Sequence, residues 1–429
     1  MTGDSRRGSF LIIFFSPERT AVTTQLPADR VDSADAWDEH AIAGIAAVRD
    51  GPALPEKGVP MSMTTRAAVC RKAGEPWEIT ELELDDPQAS EILVKFYAAG
   101  LCHSDDHVQK GDAAMRMPMV GGHEGAGVVE RVGPSVTRVA VGDHVTCSFI
   151  PVCGKCRYCA TGRQNLCDAG KNAETGLLAT GQFRFHQNGE DFGGLCALGT
   201  FSQYAVVHEY SVVKIPEWIG FDLAALVACG VPTGWGSAVR AGDVRAGQTV
   251  VIYGAGGVGS NAVQGARLAG AKNVVVVDPV EFKREMAKVF GATHTFATAE
   301  EAFDFVRETT WGELADRAII TVGILHDKVI QDAIQVIGKT GQVTITAVGG
   351  GHFDTNSGIL LGYGRKIQGA IYGGCSPLVD VPQLIRLYEA GDLKLEELIT
   401  RRYKLDEINQ GYQDMLDGKN IRGVIIHEH

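Results

Sequence analysis

The stretch "TVVIYGAGGVGSNAVQGARLAGAKNVVVVDP", Thr249 to Pro279, decides the fold. It reads as strand, glycine turn, helix, strand, acid. Gly254, Gly256 and Gly259 form a GxGxxG pattern between the strand "TVVIY" and the helix that follows, with Gly257 and Val258 completing the turn. The first glycine permits the tight turn, the second lets the backbone approach a pyrophosphate, and the third lets helix and strand pack closely. The helix N-terminus offers free N–H groups and a partial positive charge to the phosphates. Asp278 closes the next strand, nineteen residues after Gly259, where an acid accepts hydrogen bonds from ribose hydroxyls. A carboxylate there repels a 2′-phosphate, so the expected cofactor is NAD rather than NADP.

C-terminal to this unit the alternation continues through "KREMAKVFGATHTF", "EEAFDFVRETTW", "RAIITVG" and "KVIQDAIQVIGKTGQVTITAVG". Strands alternating with helices predict a doubly wound parallel sheet, hence an α/β fold. N-terminal to it the character differs. "RAAVC", "EILVKFYAAG", "GVVERVG" and "VGDHVTCSF" are short β-type runs bounded by turn residues, and they predict a strand-rich domain without helical periodicity. The first 62 residues show no sustained period and read as a disordered extension, or as sequence upstream of a start at Met61 or Met63. A chain of 429 residues exceeds what one core usually organises, so two domains are expected.

Cys153, Cys156, Cys159 and Cys167 follow a C-x2-C-x2-C-x7-C spacing. Four thiolates close a tetrahedron around zinc and leave no position for a substrate, which makes such a site structural. An iron–sulfur cluster is the rival, but the bacterial pattern continues with a three-residue gap and Cys-Pro; here Asp168 follows the last cysteine. A zinc ribbon gripping nucleic acid is a further reading. The net charge of -12 weighs against it, and equally against an anionic membrane surface. The apolar run from Phe10 to Phe15 is too short for a signal peptide, and no segment has the length of a membrane span, so a cytoplasmic location with reduced cysteines is expected.

If the protein is a metalloenzyme, an open site must lie elsewhere. "AAGLCHSDDHV" offers Cys102, His103, Ser104, Asp105 and His107; "VGGHEGAGVV" offers His123 and Glu124; Cys229 sits in "LVACGVPTGWGSAV". Two cysteines, a histidine and water make one of the known open zinc arrangements, but ligands this far apart meet only through the fold. Taken singly, Cys229 reads as a small buried residue.

From about Thr64 to Ile426 these segments, in this order, resemble the zinc-dependent medium-chain alcohol dehydrogenases. The carrying motifs are "GLCHSDDHV", "GHEGAGVV", "VGDHV", "CGKCRYC", "CGVPTGWGSAV", "GAGGVG", "VVVVD" and "NIRGVII". The resemblance implies a GroES-like, β-rich catalytic domain over 63–230 with a structural-zinc lobe at 153–167, a Rossmann NAD-binding domain over 231–371, and a return to the catalytic domain over 372–429. It makes Cys102, His123 and Cys229 ligands of a catalytic zinc and the four lobe cysteines ligands of a second zinc in each subunit. Asp105 matches the carboxylate that orients the zinc histidine. Ser104 and His107 match a proton relay to solvent. His103 and Arg422 match cationic contacts to the pyrophosphate, Asp278 and Lys283 contacts to the adenosine ribose, and Thr233 a contact near the nicotinamide. Glu124 is placed beside the zinc, Phe149 in the substrate pocket, and Ala113 at its outer side.

The activity implied is reversible oxidation of an alcohol, primary and with some bulk, or else secondary or aromatic, to an aldehyde or ketone by hydride transfer to NAD. "CSFIPVCGKCRYC", "TGQFRFH" and "RGVIIH" are especially similar to the bacterial nicotinoprotein branch, which keeps NAD(H) bound and hands electrons to an external acceptor. A branch acting on thiol adducts of formaldehyde is an alternative, although beside Lys171 no second basic residue forms a matching pair. Another is a non-catalytic NAD(H)-binding protein on the same fold. The partners implied are a small-molecule alcohol or aldehyde and a second copy of the chain, with a homodimer favoured over a tetramer, and neither nucleic acid nor membrane.

Overall fold

The computed structural model describes residues 62–349, 352 and 357–429. The extension read over 1–62 therefore lies, but for its last residue, outside the described residues. Three sheets carry the rest. A closed barrel runs in the order Met63–Cys70, Glu78–Leu84, Phe185–Gln187, Glu190–Gly194 and Met119–Val120. A seven-stranded sheet runs Val212–Lys214, His144–Cys147, Gly125–Val132, Glu91–Gly100, Arg422–Ile426, Ile399–Tyr403, with Tyr204–His208 also paired to Glu91–Gly100. The last strand of the chain thus closes back on the first half, Val424 opposite Gly100.

The third sheet has six strands in the order His294–Phe296, Asn273–Val277, Thr249–Tyr253, Ala315–Ile320, Ile337–Ile345, Lys366–Gly369, and every pairing in it is parallel. This is the dinucleotide-fold order, which reverses direction at Thr249–Tyr253. The unbroken apolar runs are explained by burial on both faces. Val250, Ile252, Val274 and Val276 enter one core cluster, and Val251, Tyr253, Val275 and Val277 enter another on the opposite face. The alternation is the two-residue period of a strand.

One feature of the first half departs from its sequence reading. His103–Lys110 is an α-helix, although the segment shows no helical periodicity. Eight residues are too few to display a period. Its signals are local instead: Asp105 and Asp106 in the first turn, and Gly111 ending it at φ 85°. Among the described residues no helix is long and apolar enough to cross a membrane.

Candidate active site

Three segments converge on one metal-sized cluster. Cys102 caps the N-terminus of the helix His103–Lys110, immediately after the strand Glu91–Gly100. His123 and Glu124 occupy the connection between Met119–Val120 and Gly125–Val132. Cys229 caps the helix Gly230–Val239. One ligand atom from each of Cys102, His123, Glu124 and Cys229 lies within 4.8 Å of all the others. Asp105, wholly buried, accepts from His123 Nδ1 at 3.1 Å and from Gly122 N at 3.1 Å. With Nδ1 so engaged, Nε2 is the nitrogen left for a metal. Burial opposes charge on His123, but Asp105, Cys102 and Cys229 around it overrule that and raise its pKa well above the ordinary value. The hydrogen bond between the two thiols lowers Cys102 and raises Cys229, and burial opposes the first and reinforces the second. Two buried cysteines beside a buried histidine are a donor set that a divalent metal takes.

Glu124 is fully buried and forms an ion pair with Arg422, itself buried. Burial raises the Glu124 carboxyl to about 7 against the pull of Arg422. Gly100 makes room for the pair: a Cβ there would stand 2.1 Å from Glu124 Oε2 and 2.9 Å from an Arg422 nitrogen. The stem of Arg422 crosses Gly257, where a Cβ would meet its Cδ at 2.1 Å. Among the described residues, neither Glu124 Oε1 nor Arg422 Nε, both buried, has a partner. Arg422 therefore stands between the metal cluster and the start of the helix Gly257–Leu268.

The glycine turn fits a dinucleotide. Gly254 has φ 94°, and a Cβ on it would press against Val322 N at 2.9 Å. A Cβ on Gly256 would meet nothing within 4 Å, so that backbone faces open space. A Cβ on Gly259 would strike Gly254 O at 1.9 Å. The three positions thus serve turn, ligand approach and packing in the order the motif requires. Asp278 accepts from Ala255 N at 2.8 Å and Val280 N at 2.9 Å. It braces the turn as well as offering its remaining lone pairs. Val258 is half-buried in the first turn of the helix, and Lys283 is half-buried in the helix Glu281–Val289 just after Asp278.

Cys102 Sγ is 3.6 Å from Ser104 Oγ, and Cys229 Sγ is 3.8 Å from Thr233 Oγ1. His107 is buried, with Nδ1 3.1 Å from Asp112 Oδ2 and Nε2 3.0 Å from Gly323 O. Among the described residues no hydrogen bond joins Ser104 to His107. His103 also faces Gly323, and burial pushes its pKa down, toward the neutral imidazole. Phe149 stands edge-on to His123 at 5.8 Å between ring centroids. Ala113 is buried in the apolar cluster with Trp77, Leu101 and Met119. The sequence reading missed Tyr372, whose ring lies 4.4 Å from that of Phe149 and whose hydroxyl donates to Ala228 O. The two glycines after it in "AIYGG" were its only sequence signal.

The lobe cysteines form the second cluster, each ligand atom within 4.8 Å of the others. Cys156 and Cys167 sulfurs are 3.9 Å apart. A tetrahedron with Zn–S bonds of about 2.3 Å has sulfurs about 3.8 Å apart, so the spacing suits zinc. Backbone N–H groups point at sulfur: Cys156 N to Cys153 Sγ at 3.3 Å, Cys159 N to Cys156 Sγ at 3.5 Å, Cys153 N to Cys167 Sγ at 3.3 Å. Burial works against the Cys156 thiolate, but hydrogen bonds from Cys159 and Asp168 and from neighbouring thiols bring it down to about 6.

Residues 88–217 match the family model of the alcohol dehydrogenase GroES-like domain, and residues 257–390 that of the zinc-binding dehydrogenase. The chain is 56% identical over 368 residues to an NDMA-dependent alcohol dehydrogenase of Amycolatopsis methanolica, covering 85% of this chain and 99% of that one. Among solved structures, an alcohol dehydrogenase zinc-binding domain protein from Burkholderia ambifaria aligns with TM-score 0.80 and 33% identity over 86% of this chain and 100% of that one. A benzyl alcohol dehydrogenase from Acinetobacter calcoaceticus aligns with TM-score 0.78 and 31% identity over 85% and 100%.

Proposed function

Because the chain belongs to the zinc-dependent medium-chain alcohol dehydrogenases, with zinc and NAD as its cofactors, we propose that it oxidises primary alcohols, aromatic ones included, to aldehydes and catalyses the reverse reduction. The observation that carries this reading is the convergence of Cys102, His123 and Cys229, with Asp105 behind the histidine. When bound, zinc supplies a Lewis acid for the alcohol oxygen and NAD supplies the hydride acceptor.

The geometry supports the following part for the protein's own residues. Cys102, His123 and Cys229 would hold the zinc and, with Glu124 engaged by Arg422, would leave a position for the alcohol oxygen. Asp105 fixes the His123 ring and keeps Nε2 toward the thiols. Ser104 Oγ would take the alcohol proton while giving up its own, and His107, paired with the exposed Asp112, would stand at the solvent end; the two would be joined only with the dinucleotide in place. Phe149 covers the site and keeps water out. The three glycines and Asp278 receive the dinucleotide, and Arg422 answers either Glu124 or phosphate. Residues 63–230 and 372–429 serve the alcohol, residues 231–371 the nucleotide, and the lobe cysteines hold a closed second zinc. The working assembly is a homodimer.

The 56% identity to an NDMA-dependent relative supports a finer reading, in which NAD(H) stays bound and an external acceptor takes the electrons. Phe149, edge-on to His123 and backed by the buried Tyr372 ring, supports alcohols with a ring. Both are tested on purified protein that is desalted, denatured and assayed for released NAD(H), alongside turnover of benzyl alcohol. About one NAD(H) per subunit, with turnover only when NDMA is supplied, is the expected result. No retained nucleotide and turnover on added NAD would remove the finer reading and keep the dehydrogenase. No turnover of any primary alcohol under either condition would overturn the proposal.

A further inference from the structure

Tyr372 is held in an unfavourable place by contacts on both sides. It lies in the turn Ile371–Gly374 at φ 56°, ψ 24°, with Gly373 at φ 63° behind it. A left-handed tyrosine is uncommon and persists only where its surroundings fix it. Its side chain is 1% exposed. On the inner side the hydroxyl donates to the carbonyl of Ala228, the residue before Cys229. The same turn grips the helix that Cys229 caps. Cys375 Sγ is 3.2 Å from Pro232 O, and a Cβ on Gly373 would stand 2.4 Å from Thr233 O. On the outer side the end of the cysteine lobe holds the turn in turn. Asn165 Nδ2 donates to Ile371 O at 3.1 Å, Ser376 Oγ to Gly162 O at 2.9 Å, and Leu378 N to Gln164 Oε1 at 3.2 Å.

We infer that Tyr372 is a positioning residue for Cys229: its hydroxyl fixes the Ala228 carbonyl and with it the direction of the Cys229 thiol, and the lobe backs it from outside. The physical need is clear. Cys229 enters its helix with φ −143°, ψ −67°, and no side-chain cap hydrogen bond fixes that end. The carbonyl just before it is the nearest backbone group that another element holds, and Tyr372 is what holds it. The inference rests on the open-site reading above, because it concerns the ligand of that site.

The test uses the zinc-loaded protein and Tyr372→Phe, which keeps the ring against Phe149 and removes only the hydroxyl. Zinc is counted per subunit, then released to an excess of chelator and followed in time. The wild type should lose its zinc in two phases, one per site. In Tyr372→Phe the open-site phase should be about tenfold faster, the size of effect seen when a group that orients a ligand is lost; the other phase should be unchanged. Two zincs in both proteins with identical release would overturn the inference alone. A lower thermal midpoint with unchanged release would also overturn it, since Tyr372 would then be structural only. A wild type holding a single zinc would overturn the open-site reading and this inference with it.

Discussion

The two cysteine clusters of this molecule are built by opposite means. The lobe takes its four thiols from fifteen consecutive residues, and its own backbone N–H groups point at the sulfurs. The other site takes Cys102, His123 and Cys229 from three separate elements, and its geometry depends on partners from further away still. Asp105 orients His123, Tyr372 reaches Ala228 from 144 residues on, and Arg422 reaches Glu124 from 298 residues on. A metal that only has to be held can be caged by one loop. A metal that must keep a corner free needs ligands on different rigid elements, so that the missing fourth ligand does not let the others close over it.

The largest effect that would break this comparison is at Cys229. Cys229→Ser should lower zinc from two per subunit toward one and abolish alcohol turnover, with the fold retained by circular dichroism. Full activity in that variant would remove Cys229 from the site. Cys156→Ser sharpens the contrast from the other side: it should cost solubility and thermal stability, with activity lost only as the protein unfolds. Next in size is Asp105→Asn. It leaves the shape and removes the carboxylate charge behind His123, and should weaken open-site zinc binding by about 10- to 100-fold while leaving the lobe zinc in place. Competition with a metal chelator at equilibrium measures both. Equal weakening at the two sites would show that Asp105 acts on the fold as a whole.

The smallest effect concerns pH. His427 lies beyond the strand Arg422–Ile426, and its Nε2 is 3.0 Å from Thr200 O, whose own N–H binds Gly122 O next to His123. Burial pushes His427 down to about 4 from an ordinary 6.5. The folded state therefore needs it neutral, while the unfolded chain protonates it near 6.5. Its contribution is complete above that pH and is lost as pH falls toward 4, by about 2 kcal/mol at pH 5. Urea unfolding at pH 7 and pH 5 should show this loss, and His427→Gln should flatten it. An unchanged difference between the two pH values in the variant would assign the acid sensitivity to other groups.

How much the sequence disclosed follows the same division. The glycine turn, Asp278 and the lobe are local patterns, and each could be argued from spacing because their atoms meet through a few bonds of chain. The four consecutive valines of "NVVVV" find their reason in burial on both faces of the sheet, which their lack of alternation is consistent with. The open site was legible only as three segments rich in ligand residues, and family resemblance joined them. Spacing holds no information about which turn of chain packs on which. The helix His103–Lys110 was missed because eight residues are shorter than the pattern sought. Tyr372 was missed because its role comes from a left-handed turn and a carbonyl in a distant segment, neither of which a residue type reveals. Asp278 was read for the ligand alone, whereas the structure also has it bracing the turn through Ala255 and Val280.

Cobalt distinguishes a closed metal site from one with a free corner. The open-site zinc is exchanged for Co(II) and the visible spectrum recorded before and after adding pyrazole, a small ligand able to take a free coordination position. A tetrahedral thiolate spectrum should shift on addition, with about one cobalt per subunit responding and the lobe metal silent. A spectrum indifferent to pyrazole would mean that Glu124 joins Cys102, His123 and Cys229 and closes the site like the lobe, leaving no corner for a substrate.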